Sequence, residues 1–142
     1  MKTPIIEPYV MFSGRCEEAL EFYKSALSAQ IGMIMRFKDS PEEPPMPMPD
    51  GWKEKVMHCD FHVGESHIMA SDGCGGDEPI QGIMLSLTVA DEAAATEAFQ
   101  RLSEDGEVQM PLGKTFWSPC FGMVKDQFGV GWMVSVPECT NP

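Results

Sequence analysis

One order of elements is written twice along this chain, and that repeat constrains the fold more than any other feature. Residues 5–12 form a short β-rich run. Ser13-Gly14 breaks it and can cap a helix, with Glu17 and Glu18 well placed in the first turn. Residues 15–27 then read as helix, with Ala19, Leu20, Tyr23 and Leu27 on one stripe. Residues 31–37 are a strand candidate. Residues 56–63 and 66–71 read as a hairpin turned by Gly64-Glu65. The second half repeats the order. Residues 83–90 read as a strand, and Asp91 can cap a helix running to about Ser103, with Ala95, Phe99 and Leu102 inward and Gly106 as a stop signal. Residues 107–112, 120–125 and 130–136 complete the set, the last two joined across Asp126-Gln127-Phe128-Gly129. Each half is strand, helix, strand, strand, strand. The pattern predicts one domain of two βαβββ modules, about residues 4–72 and 82–137.

Composition bounds the function classes. With 43% hydrophobic and 23% charged residues, the chain can bury a core and is not a disordered one. Acids outnumber bases 22 to 10, for a net charge of −12, which disfavours a phosphate backbone as partner. No apolar run approaches the ~20 residues that span a bilayer, so no membrane partner is expected. Residues 1–4 lead straight into a strand-like run, without the apolar stretch of a signal peptide. The five cysteines, at 16, 59, 74, 120 and 139, form no C-x-x-C pair and no zinc-finger spacing. They read as reduced thiols, two or three of them buried, in a cytoplasmic protein.

The halves differ in one place. Module one is longer between its helix and its hairpin, and the surplus falls on residues 40–51, which hold five prolines. Such a stretch is extended and stiff. It reads as a solvated surface loop, or as a flap over a pocket or a dimer arm.

Strand alternation sorts the side chains into two faces. Ile83, Leu85, Leu87 and Val89 oppose Met84, Ser86 and Thr88. Trp132, Val134 and Val136 oppose Gly131, Met133 and Ser135. Ile68 and Ala70 oppose His67, Met69 and Ser71, while Met57, Cys59, Phe61 and Val63 oppose His58, Asp60 and His62. The apolar face should pack on the helices, where unpaired polar groups are costly. The other face, soft in methionine and supplied with hydroxyls and imidazole, either lines a ligand pocket or is solvated. Tyr23, Phe22 and Trp132 read as core aromatics, Arg15 as a partner of Glu18 or Asp91, and Lys114 and Trp117 as a far wall of the pocket.

Three histidines sharpen the question. A two-residue turn at Gly64-Glu65 sets His62 directly across from His67, with Cβ atoms about 4.5–5.5 Å apart. That pair could hold a divalent metal with Asp60 or Glu65 as third ligand, or be an exposed polar pair. His58, near Ser71, suits a hydrogen bond to ligand or a catalytic general base, or is satisfied by a neighbouring Ser or Asp.

Residues 8–23 (PYVMFSGRCEEALEFY), Met69-Ala70-Ser71-Asp72 and residues 126–132 (DQFGVGW) resemble, in order, the signatures of PhnB-like proteins. These belong to the glyoxalase / bleomycin-resistance / extradiol-dioxygenase (vicinal oxygen chelate) superfamily. The resemblance implies an α+β fold whose two βαβββ modules form a cupped, eight-stranded mixed sheet with helices on the outer face. It also implies a homodimer and a small-molecule ligand in a pocket. Val10 and Phe12 of the first strand join His58, Asp60, Met69, Ser71, Met84, Ser86, Thr88, Met133 and Ser135 as expected lining. The superfamily's metal enzymes carry ligands at four positions that match Pro8, Met69, Met84 and Met133 here. Proline has no side-chain donor and thioether is a poor ligand for hard divalent ions, so no cofactor is expected at those positions. The resemblance therefore implies a binding protein akin to bleomycin-resistance proteins. The alternative is a metal-dependent lyase, isomerase or dioxygenase using a displaced site around His58, His62 and His67. A third is a ubiquinone methyltransferase, a label some PhnB-like sequences carry. The chain has no Gly-rich loop between a strand and a helix of the kind an S-adenosylmethionine site usually needs.

Overall fold

The computed structural model describes residues 3–43 and 47–138. It divides into two compact units, Met1–Glu78 and Pro79–Pro142. Module one runs β1 (Tyr9–Met11), α1 (Cys16–Leu27), β2 (Gln30–Arg36), β3 (Val56–Val63) and β4 (Ser66–Ser71). Its sheet has the order β1-β4-β3-β2, with β1 parallel to β4 and the other pairs antiparallel. Module two runs β5 (Met84–Thr88), α2 (Glu92–Leu102), β6 (Glu107–Gly113), β7 (Phe121–Lys125) and β8 (Gly131–Ser135). Its order, β5-β8-β7-β6, repeats the first, again with the outer first strand parallel to the last. The protein is thus an α+β chain of two βαβββ modules. Of the proline-rich excursion, residues 44–46 lie outside the described residues. No helix among the described residues is long and apolar enough to cross a membrane.

In module one, Cys16, Ala19, Leu20 and Tyr23 are buried at the spacing of one helix stripe. Tyr23 stacks on Phe61 of β3, centroids 5.8 Å apart, and meets Phe12 at 6.1 Å. Cys59, Phe61, Ile68 and Ala70 therefore form the face under α1. In module two a Cβ on Gly122 would come within 2.8 Å of the Phe99 ring, so β7 passes directly beneath α2. Val134 pairs with Gly122 and Trp132 with Val124, and all three of these larger side chains are buried on that face. The expected helix-facing alternation holds along β8.

The helix starts differ. Asp91 accepts the Ala94 N–H at 2.8 Å, as its position predicts. Ser13-Gly14 does not cap α1. The N-cap residue is Arg15, with no side-chain cap bond, and Asp72, just beyond β4, accepts the Gly14 and Cys16 N–H groups instead, both at 2.8 Å. Arg15 pairs with Glu18 at 3.2 Å. Three alternation expectations also change. Met57 sits at a bulge between the Met35 and Arg36 pairings, so Val56 takes the buried place on the helix face. Ile83 precedes β5 and is 73% exposed. Val10 and Phe12 are not on the face that carries His58, Asp60 and Met69. Val10 is in register with buried Ala70, and Phe12 is itself buried against Tyr23, so Tyr9 and Met11 take the opposite side.

Candidate functional site

The face of module one turned away from α1 is organised around His67. The hairpin register sets His62 against His67, with ring centroids 4.7 Å apart. His67 donates from Nδ1 to Glu7 Oε2 at 2.6 Å and from Nε2 to Asp60 Oδ2 at 2.8 Å. Asp60 also reaches sideways. Its Oδ1 accepts the Met33 N–H at 2.8 Å, inside the bulge of β2, and occupies the space a Cβ on Gly32 would fill. One carboxylate thus fixes a bulge, a histidine and, through it, the segment before β1. Beside this clamp the Tyr9 hydroxyl lies 2.9 Å from His58 Nδ1. Burial raises the Tyr9 pKa, partly offset by a hydrogen bond with Ser71. Ser71 is buried. Its hydroxyl accepts the Gly73 N–H at 2.9 Å and points back to the Val56 carbonyl.

The clamp makes a pH prediction. Asp60 first, then Glu7, raises the His67 pKa above its usual value. His67 first, then the Met33 N–H, lowers the Asp60 pKa. A histidine raised by folding contributes fully below its unfolded value, about 6.5, and that contribution is lost as pH rises through the folded value. A carboxylate lowered by folding contributes above about 3.9, and loses that contribution as pH falls through its folded value. The clamp is therefore strongest between about pH 4 and 6.5. An NMR titration should place the His67 midpoint above 6.5, and Asp60→Asn should lower it. A wild-type midpoint at the ordinary value would contradict the geometry.

In module two the face turned away from α2 is methionine-lined. Met110 of β6 pairs with Met123 of β7, Met123 pairs with Met133 of β8, and Met133 pairs with Ser86 of β5. Three thioethers therefore stand in one row across the sheet, ending on a hydroxyl. Met84 lies against Gly131, leaving 3.1 Å for any Cβ there. Thr88 pairs with Ser135, and Ser135 pairs in turn with Phe121. Trp117 meets Phe121 edge-on, centroids 5.3 Å apart, and Phe116 packs on Trp117 at 4.7 Å.

A family profile described as 3-demethylubiquinone-9 3-methyltransferase matches residues 4–135. The PhnB protein of Bacillus cereus is 28% identical, with a TM-score of 0.75 over 94% of this chain and 99% of its own. This chain belongs to the PhnB-like family. The PA1353 protein of Pseudomonas aeruginosa is 42% identical, with a TM-score of 0.84 over 95% of this chain and 98% of that one. Protein YjdN of Escherichia coli (strain K12) is 31% identical over 92% of this chain and 94% of its own. Glyoxalase and bleomycin-resistance domains of 12% identity share the fold alone.

Within this PhnB-like chain the four positions that carry metal ligands elsewhere in the superfamily can be placed. The Pro8 carbonyl accepts the Met69 N–H at 3.0 Å, so these two are neighbours, and Met84 and Met133 lie on adjacent paired strands. Pro8 has no side-chain donor, and Met69, Met84 and Met133 each offer thioether sulfur, a poor ligand for a hard divalent ion. Among the described residues, no group of three His, Cys, Asp or Glu side chains is placed to hold a metal. In the displaced set, both nitrogens of His67 are spent on carboxylates. The two strand-to-helix junctions do not fit an S-adenosylmethionine carboxylate or a phosphate either, since each N-terminus holds a carboxylate of this chain, Asp72 or Asp91.

Sequence reasoning missed Glu7, Tyr9, Met110 and Met123. Tyr9 was readable from its alternation with Phe12. Met110 was not, because a register shift between Val108 and Met110 moves it to the other face. Met123 was available from the alternation Phe121, Met123, Lys125.

Proposed function

We propose that this PhnB-like protein binds a small, largely apolar molecule on the methionine-lined face of module two, without an obligatory metal. The supporting observation is the row Met110, Met123, Met133 ending on Ser86. Unbranched thioethers adapt to irregular apolar shapes, and the hydroxyls of Ser86, Thr88 and Ser135 supply a few polar contacts to orient a guest. The aromatic group at Phe121 and Trp117 extends the same kind of surface. The reading includes a homodimer, in keeping with Ile5 and Ile6, which are 77% and 98% exposed in the single chain.

The test combines metal analysis of protein purified without chelator with a thermal-shift and calorimetric screen of uncharged aromatic and aliphatic molecules. Binders should raise the unfolding midpoint with no stoichiometric metal present. Met123→Glu, in the middle of the row, should weaken binding at least ~10-fold by placing a charge against apolar surface. Met123 is half-buried, so this variant should still fold. A silent screen, or stoichiometric zinc, nickel, iron or manganese lost on His62→Ala, would overturn the reading.

One observation favours a second reading. In the tautomer whose Nδ1–H donates to the Tyr9 oxygen, His58 Nε2 is left as a candidate general base, with Tyr9 fixing the ring. In that reading the protein is a lyase, isomerase or dioxygenase of the superfamily. Turnover abolished by His58→Gln with ligand binding intact would favour it over the first.

A further inference from the structure

Two sulfurs meet where α1 begins over the middle of β3. Cys16 Sγ and Cys59 Sγ are 3.6 Å apart, and neither residue has any exposed surface. Their backbones are fixed independently. The Cys16 N–H is held by Asp72, and Cys59 is paired on both sides, with Ile34 of β2 and Ala70 of β4. A disulfide has its sulfurs about 2.05 Å apart, so side-chain rotation must close a gap of about 1.5 Å.

We propose that Cys16 and Cys59 form an oxidation site, where a peroxide converts the two thiols to a reversible disulfide that ties α1 to β3. The arrangement gives the two sulfurs different roles. The two thiols share one S–H···S contact, and that contact together with burial and the nearby Asp72 raises the Cys16 pKa. The same contact makes Cys59 the more acidic partner. Cys59 attacks a peroxide oxygen, the O–O bond breaks, and water leaves with the thiol proton, giving a sulfenic acid. The Cys16 sulfur then attacks the Cys59 sulfur, the S–O bond breaks, and a second water carries away the Cys16 proton. One peroxide is reduced by two electrons to two waters as two thiols become one disulfide.

Two features of the fold bear on the consequence. The pair closes a loop containing the whole proline-rich excursion, and long closed loops gain most from a cross-link. Both sulfurs lie between α1 and β3 of module one, whereas the proposed ligand face belongs to module two, so the proposal does not depend on what the protein binds. Burial makes local opening the slow step. Exposed Cys74 is the internal comparison, since it needs no opening to react.

The test treats the folded, full-length chain with hydrogen peroxide, unfolds it in excess maleimide and maps the peptides by mass. A Cys16–Cys59 cross-linked peptide, lighter by two hydrogens, should appear at a rate insensitive to Cys74→Ser and vanish with dithiothreitol. The oxidised protein should unfold at higher denaturant than the reduced one. Maleimide on both Cys16 and Cys59 after Cys74 has been consumed would overturn the proposal. So would sulfinic acid at Cys59 in place of the cross-link.

Discussion

Asp72→Ala should destabilise the protein by about 4 kcal/mol and lower its melting temperature by about 10 °C, read by urea and thermal unfolding. Asp72 is 2% exposed and receives three backbone N–H groups, from Gly14 and Cys16 at 2.8 Å and from Val56 at 2.9 Å. A helix cap alone contributes about 1 kcal/mol. Asp72 does more, because one carboxylate terminates β4, starts α1 and anchors the first residue of β3. Alanine leaves three donors in a dry site, each costing about 1–3 kcal/mol when its partner is removed. Asp72→Asn grades the effect. Oδ1 can keep its two bonds, while the new amide group faces the Val56 N–H, donor against donor, for a loss of about 2 kcal/mol. Equal losses for the two variants would mean that the Gly14 and Cys16 bonds contribute nothing.

Asp72 also shows why some of this fold was legible in the sequence and some was not. The hairpin of β3 and β4 was readable to the residue, because Gly64-Glu65 admits a single tight turn and the period-2 pattern on either side agrees with it. The His62–His67 pairing follows from that register. The cap of α1 was not readable, since its carboxylate comes from 58 residues away from Gly14, and Ser13-Gly14 supplied a plausible local substitute.

Bulges were the other blind spot. Each adds a residue that inverts the parity of everything after it, and what stabilises it lies on another strand. The bulge at Gly32 and Met33 exists because Asp60 of β3 reaches across to bind an amide. The bulge before Met110 aligns the thioether row. Most of the soft face was thus visible from the alternation of β5, β7 and β8, while its continuation onto β6 needed the register. Val10 and Phe12 were assigned to the soft face from the family resemblance alone, whereas the parallel register sets Tyr9 against Met69 and Val10 against buried Ala70.

The motif D-x-F-G-x-x-W looks like a site, and the structure gives it another occupation that Asp126→Ala should expose, at about 3–4 kcal/mol. Asp126 is 3% exposed. Its Oδ1 accepts the Phe128 N–H at 2.9 Å and the Val130 N–H at 3.0 Å, folding the turn between β7 and β8. Gly129 takes φ 93°, which that turn requires and other residues resist. Oδ2 accepts the Trp132 indole N–H at 2.9 Å, and Trp132 lies on the helix face of β8. The four signature residues are one device: an acid that closes the turn and aims an indole into the core, so that Met133 next to it faces the opposite way. Trp132→Phe keeps most of the apolar volume but removes the indole donor, and should cost about 2 kcal/mol. Because the two side chains share a bond, the double variant should lose about 1 kcal/mol less than the sum of the singles. Additive losses would separate the turn from the indole. Coupled losses, with ligand affinity unchanged in whatever fraction remains folded, would make the signature a means of orienting the methionine row rather than part of it.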